Sequence, residues 1–220
     1  DIRLAATGSA SPIIEDASTD SGTGRWTVIK IPTLSFYEYC QLLQLDDMPL
    51  LPDHLKITDI PKMENAEVAD LMARFEPLVK HFNRYLTIGG FPELALSDDD
   101  LYAQRMLRED VVDKVIKRDV LTLFKVRSPL LMEKLFLYLC MNSTEIFSAT
   151  TAAKELDNIS PNTIESYVDA LVKSNLIYMA YPIAVGSKSV LKGRPKIYIA
   201  DAAIRNAVLM VDDVLSDERE

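Results

Sequence analysis

Apolar residues recur at helical spacing along most of the chain between residues 64 and 174. Apolar side chains three and four positions apart lie on one face of an α-helix, so this pattern predicts amphipathic helices that share a core. The segment from Glu64 to Leu86 follows the pattern, although Pro77 should kink or split its helix. Gly89 to Pro92 ends it, and Asp98 to Phe124 reads as a long amphipathic helix.

The first sixty residues carry shorter signals. Ile2 to Ala6 and Trp26 to Ile31 are β-branched or apolar runs that predict strands, with a polar loop between them. Ser35 should begin a helix, because Glu38 stands three residues later at the spacing of a capping box. Three prolines within residues 46–62 break any helical pattern and predict an extended linker or a long loop.

After Ser128 the pattern changes to three shorter helices followed by two β-rich runs and a last helix capped by Asp201. The predicted segments are Pro129 to Met141, Thr150 to Leu156, Ser160 to Ser174, Leu176 to Pro182, Lys196 to Ala200 and Asp201 to about Met210. Three helices followed by a two-stranded hairpin is the element order of a winged-helix domain. The fold class expected is therefore mainly α with small β elements.

Composition and charge exclude several classes. The net charge of -9 argues against binding nucleic acid over the whole surface, although a local basic patch remains open. Two cysteines and two histidines form no cluster with metal-ligand spacing, so no metal is expected. The most apolar stretch, Pro129 to Met141, is too short to cross a bilayer, and no signal peptide is evident, so we expect a cytoplasmic protein with no membrane partner.

Complete catalytic signatures are missing from the sequence. It has no Gly-x-x-x-x-Gly-Lys-[Ser/Thr] loop for phosphates, no Gly-x-Ser-x-Gly elbow and no His-Glu-x-x-His pair. The chain alone should therefore be catalytically inactive.

Several separated segments, read in order, resemble a family. They are Thr7-Gly8-Ser9-Ala10-Ser11, Gly24-Arg25-Trp26, Leu34 to Tyr39, Tyr85 to Glu93, Ile116 to Val120, Asn162 to Leu176 and Lys196 to Asp201. Together they resemble the later part of prokaryotic AAA-type P-loop ATPases that carry a C-terminal winged-helix region and a domain of unknown function. Such proteins hold their Walker A lysine and Walker B acids upstream of the first of these segments, so we expect this chain to be a piece of a longer protein.

The resemblance implies a division of the chain and a set of site residues. Residues 1–92 would be the C-terminal part of the ATPase domain with its helical lid, 93–128 a connecting helix, 129–210 the winged helix and 211–220 an acidic tail. Thr7 and Ser9 would occupy the sensor position near the γ-phosphate, and Arg25 or Arg118 could supply positive charge to a nucleotide. Turn capping by the first two and surface or helix-pairing roles for the arginines are the alternatives. ATP and Mg²⁺ would bind the parent protein, and no cofactor is expected for this chain.

The winged-helix region offers two candidate surfaces for nucleic acid. The expected recognition helix presents Asn162, Thr163 and Ser166 but few cations, whereas the expected wing carries Lys188, Lys192, Arg194 and Lys196 with no acid among them. Winged helices also bind proteins, so DNA and protein partners both stay open, as does homo-oligomerisation. We expect either a fragment that transmits nucleotide state from a missing N-terminal ATPase half to the winged helix, or a winged-helix DNA-binding regulator or protein-interaction module.

Overall fold

The structure is a computed structural model. It describes residues 27, 29, 31–45, 48–49, 56–121, 124, 126–183 and 193–211, and of residues 111, 118 and 119 it describes the backbone only. All structural statements below concern these residues. The predicted strand Ile2 to Ala6, the polar loop after it and the acidic tail from residue 212 lie outside them.

The described residues are mainly helical and include a two-stranded antiparallel sheet, as the sequence predicts. The helices and strands, numbered along the chain, are α1 (Phe36–Leu42), α2 (Asn65–Phe75), α3 (Val79–Ile88), α4 (Pro92–Ala95), α5 (Asp100–Met106), α6 (Pro129–Met141), α7 (Ala149–Glu155), α8 (Pro161–Lys173), β1 (Ile177–Ala180), β2 (Lys196–Ile199) and α9 (Ala202–Leu209).

Local signals placed the early helix ends correctly. Ser35 caps α1 through a capping box, in which its hydroxyl accepts from the Glu38 N–H at 3.3 Å and its own N–H donates to the Glu38 carboxylate at 2.8 Å. Pro77 lies in a short 3-10 turn, Glu76–Leu78, that separates α2 from α3. The predicted interruption is confirmed, and its cause is the missing proline N–H.

The long helix predicted from Asp98 is confirmed over much of its length. Helix α5 continues into two π-helical segments, Leu107–Asp113 and Val115–Val120. The wider π-helical turn rotates the side chains relative to a regular α-helix, which the apolar spacing of the sequence does not reveal.

Two local predictions are wrong. Within the expected linker, residues Ile57–Lys62 form a 3-10 helix that contains Pro61, because a 3-10 turn tolerates proline better than an α-helix interior does. Of the predicted strand Trp26 to Ile31, the described residues Thr27, Ile29 and Ile31 adopt no strand, and Ile29 and Ile31 are exposed.

The hairpin lies at the end of the three-helix segment α6 to α8. Strand β1 pairs antiparallel with β2, with Tyr178 opposite Tyr198 and Ala180 opposite Lys196. The other edge of β2 bonds to residues 144–147: the Thr144 N–H donates to the Ile197 carbonyl at 2.7 Å, and Ile146 forms an isolated bridge with Lys196. β2 is therefore the middle of three extended segments.

The buried residues form one hydrophobic cluster that runs through both halves of the described chain. Helix α9 packs against α3, α5, α6 and the first π-helical segment, so the last helix touches the early helices as well as the later ones. Two polar residues, Asp201 and Asn206, are buried where α9 meets α3.

Candidate functional site

The most distinctive polar arrangement joins the glycine turn after α3 to the first residue of α9. The Asp201 carboxylate accepts from the Gly90 N–H at 2.9 Å with one oxygen and from the Ala203 N–H at 2.9 Å with the other. Asp201 is thus both the N-cap of α9 and a tertiary hydrogen-bond acceptor, and it is only 8% exposed. We call this contact the Gly90–Asp201 junction.

At both glycines of the turn, the neighbouring atoms leave no room for a Cβ atom. Gly89 has φ +79, and a Cβ there would lie 2.8 Å from an Asp201 carboxylate oxygen. A Cβ on Gly90 would lie 2.2 Å from the Leu34 carbonyl oxygen, which is far inside van der Waals contact. The backbone of the turn therefore approaches Asp201 and Leu34 as closely as only glycine allows.

Further hydrogen bonds surround the junction. The Asn206 side-chain amide donates to the Leu86 carbonyl at 3.2 Å, and the Leu34 N–H donates to the Gly90 carbonyl at 2.7 Å. The Tyr85 hydroxyl donates to the Leu34 carbonyl at 2.7 Å. The segment before α1, the end of α3 and the start of α9 are thereby tied to one another.

Beside the junction, Arg84 forms hydrogen bonds with the segment between α3 and α5. Its guanidinium donates to the Asp100 carboxylate at 3.0 Å, to the Tyr39 hydroxyl at 3.0 Å, and to the backbone carbonyls of Ala95 and Ser97. Burial raises the pKa of Tyr39, while the hydrogen bond and charge of Arg84 act in the opposite direction. The sequence analysis missed Arg84, because nothing near it in sequence marks its partners.

An open cleft of about 480 Å³ lies between the loop that follows α6 and Arg205. The Arg205 guanidinium donates to the Cys140 carbonyl at 3.2 Å and to the Asn206 side-chain oxygen at 3.2 Å. Those bonds hold the Arg205 side chain against the end of α6 and against Asn206.

Four residues were predicted as sensor or arginine residues of a nucleotide site. Thr7, Ser9 and Arg25 lie outside the described residues. Arg118 lies in the second π-helical segment, and only its backbone is described. Their roles in a nucleotide site stay predictions.

The predicted recognition helix is α8. Asn162 and Ser166 are exposed on it and Thr163 is half-buried. The same helix exposes Glu165 and Asp169, and Lys173 pairs with Asp169 at 2.8 Å. A polyanion would therefore meet two carboxylates on this face, which opposes binding.

Of the predicted wing cations, two fall within the described residues. Arg194 and Lys196 are exposed, and neither forms an ion pair in the part of the chain that the structure describes. Lys188 and Lys192 lie outside that part. Lys196 is the first residue of β2, and Arg194 lies two residues before it.

Two tyrosines that were not among the predicted site residues lie on β1 and β2. Tyr178 and Tyr198 are cross-strand partners, and they are 47% and 37% exposed. The alternation of buried and exposed residues in β1 and β2 was the signal that could have found them, once the register of the two strands was known.

Fold and site together define a mainly helical protein in which a two-stranded hairpin and a final helix are joined to an earlier glycine turn. Residues 79–215 match the family described as a domain of unknown function, DUF8612, so the chain belongs to that family. The matched range includes both sides of the Gly90–Asp201 junction and both strands.

Curated relatives are distant and longer. A protein of Haemophilus influenzae, described as "Uncharacterized protein", is 23% identical over 206 residues, which are 92% of this chain and 44% of the relative. "Uncharacterized protein MJ1544" of Methanocaldococcus jannaschii is 24% identical over 201 residues, 89% of this chain and 40% of the relative. The chain thus spans less than half the length of the curated relatives it matches, and no solved structure matches it.

Within the described ranges, no helix is both long and apolar enough to cross a membrane. The same ranges contain no group of three or more His, Cys, Asp or Glu side chains that could hold a metal ion.

Proposed function

We propose that this chain is the helical lid and winged-helix part of an AAA-type ATP-binding protein, and that it transmits nucleotide state from the ATP site to the winged helix. In this proposal α1 to α3 belong to the ATPase part with its lid, and α5 belongs to the connecting helix that follows it. Helices α6 to α8 with β1 and β2 make the winged helix, and the extended residues 144–147 beside β2 supply its first short strand.

The observation that carries the proposal is the Gly90–Asp201 junction. A turn at the end of a lid helix is held by a buried carboxylate that also starts the helix following the hairpin. Breaking a buried hydrogen bond to a charged group leaves a desolvated partner, so such a contact resists separation. A movement of α3 would therefore carry α9 with it.

Helix α9 extends the link to the hairpin region. It packs against α3 and also against α6 and β2. Close-packed interiors transmit displacement because they deform little. We infer that the lid and the hairpin region move together, so a nucleotide that shifts the lid would reorient the surface presented by α8 and β2.

The described residues do not fit a nucleotide site by themselves. They contain no metal-holding cluster and no glycine loop that opens a helix towards a phosphate. Under the proposal ATP and Mg²⁺ bind the other part of the longer protein, and the residues of this chain respond to them without chemistry of their own.

The first test uses the 220-residue chain and the full open reading frame. We expect a phosphate-binding loop to be encoded upstream of Asp1 and the chain itself to show no ATP turnover. An open reading frame without that loop, or measurable turnover by the chain alone, refutes the proposal.

The second test measures transmission in the full-length protein. Hydrogen–deuterium exchange in α9 and the hairpin should differ between the ADP-bound and ATP-analogue-bound states. The Asp201→Asn variant should weaken that difference, whereas Asp99→Asn, at the exposed cap of α5, should leave it intact. Exchange in the hairpin that is identical in both nucleotide states would contradict transmission.

A second candidate function is DNA binding by the wing, with the N-terminal part as a dimerisation or ligand module. It is favoured by the charge of residues 170–200, which include five basic residues and no acid in a chain of net charge -9. Alanine at Lys188, Lys192, Arg194 and Lys196 should abolish retention of duplex DNA. Unchanged retention would refute this candidate and favour a protein partner for the wing.

A further inference from the structure

One side of the hairpin is exposed throughout and is covered by no other described element. It comprises Ile146, Tyr178, Ala180, Lys196 and Tyr198, which we call the outer face. Side chains alternate between the two sides of a strand, so these five share a side while Ile177 and Ile197 point into the core. The outer face is therefore set by the register and not by a chance cluster of exposed residues.

Tyr178 and Tyr198 dominate this face. Directly opposed residues in an antiparallel pair have Cβ atoms about 5 Å apart, so the two side chains leave the sheet next to each other. Neither ring stacks on another aromatic ring within the described residues, and neither hydroxyl has a hydrogen-bond partner there. Two flat aromatic surfaces are thus available to a ligand.

Charge beside the rings is positive. Lys196 lies on the outer face two residues before Tyr198 in β2, and the exposed Arg194 lies two residues before β2. Asp201, two residues after β2, is buried in the Gly90–Asp201 junction. Glu145 bonds through its backbone with Ile197, whose side chain points to the other side. A ligand on the outer face would therefore meet aromatic rings and cations together.

We propose that the outer face binds single-stranded nucleic acid, with bases stacking on Tyr178 and Tyr198 and with Lys196 and Arg194 contacting phosphates. Exposed aromatic rings beside cations are the features that bind unpaired bases and their backbone. In a duplex the bases already stack on one another and present only their edges, so these rings would find no face to stack on. A cationic surface without acidic residues also attracts a polyanion more strongly than it attracts a protein that carries few acidic residues.

This proposal goes beyond nucleotide-state transmission and does not depend on it. This proposal and the duplex-DNA candidate both use Arg194 and Lys196. They differ in whether the bound nucleic acid is single-stranded or double-stranded. The tyrosines belong only to the present proposal.

The test is fluorescence anisotropy of the full chain with a labelled oligothymidylate and with a labelled duplex of equal length. We expect tighter binding of the single strand. Tyr178→Thr with Tyr198→Thr should weaken that binding about a hundredfold, because each stacked base contributes about tenfold. Threonine is a strand former, and urea unfolding should verify that the variant keeps its fold.

Matched variants separate stacking from other effects. Tyr178→Phe with Tyr198→Phe should bind as wild type because the rings remain, and Tyr37→Gln, at an exposed tyrosine of α1, should also bind as wild type. Lys196→Gln should lower affinity and reduce the slope of log affinity against log salt by about 0.7.

Several outcomes would overturn the proposal. Duplex binding as tight as single-strand binding would assign the cations to the duplex-DNA candidate alone. Unchanged affinity in the double threonine variant would show that the rings are ordinary strand residues. No binding of either oligonucleotide would exclude nucleic acid and favour a protein partner for this face.

Discussion

Removal of the Asp201 carboxylate tests the Gly90–Asp201 junction most directly. In Asp201→Ala, α9 loses its N-cap, which costs about 1 kcal/mol in typical helices. The Gly90 N–H, which is buried against the carboxylate, also loses its partner, and an unsatisfied buried donor costs about 1–3 kcal/mol. The expected loss in free energy of unfolding is therefore about 2–4 kcal/mol.

A second variant and a control divide this loss into its parts. Asp201→Asn keeps one carbonyl acceptor for capping but cannot accept with both side-chain atoms, so it should cost about half as much as alanine. Asp99→Ala removes the exposed N-cap of α5, whose carboxylate accepts, among the described residues, only from the Tyr102 N–H at 2.9 Å. That control should cost about 1 kcal/mol.

The assay is urea unfolding followed by circular dichroism, with the m-value compared between variants. Equal losses in Asp201→Ala and Asp99→Ala would show that the tertiary hydrogen bond contributes nothing beyond capping. That result would refute the reasoning and remove the main support for a rigid link between the lid and the final helix.

Three further predictions concern other buried contacts. Gly90→Ala should destabilise the fold by about 1–3 kcal/mol in urea unfolding, because its Cβ would lie 2.2 Å from the Leu34 carbonyl oxygen, and a loss near zero would contradict that geometry. Arg84→Lys should cost about 2 kcal/mol, since a single ammonium cannot replace a guanidinium that bonds Asp100 and several other groups; wild-type stability would contradict it. Burial raises the pKa of the Cys140 thiol from 9.0 to about 12. Above pH 9 the unfolded chain therefore holds fewer protons than the native chain, so the free energy of unfolding should fall as the pH rises towards 12. The Cys140→Ala variant should lack that part of the pH dependence.

Local chemistry explains which elements the sequence predicted well. The capping box at Ser35, the break at Pro77 and the cap at Asp201 each involve residues within a few positions of one another. Such contacts form in the same way in almost any tertiary context, so their sequence patterns are reliable. The run from Ile57 to Lys62 shows the limit, because proline excludes an α-helix interior without excluding a 3-10 turn.

The candidate sites were harder to predict because their partners are far apart in sequence. The resemblance drew attention to the glycine turn and to Asp201 separately, and the sequence analysis treated one as a helix stop and the other as a cap. Their hydrogen bond joins residues 111 positions apart. No local pattern specifies such a contact.

The sequence by itself therefore determined most of the α-helices, the caps at Ser35 and Asp201, strands β1 and β2 and the basic stretch before Asp201, because propensity, capping and charge act over short distances. Only the tertiary structure decided that Asp201 meets Gly90, and only the strand register decided that Tyr178 and Tyr198 share one exposed side with Lys196. These pairings depend on how the core closes, and burial of the apolar cluster fixes that closure through many weak contacts that no single segment encodes.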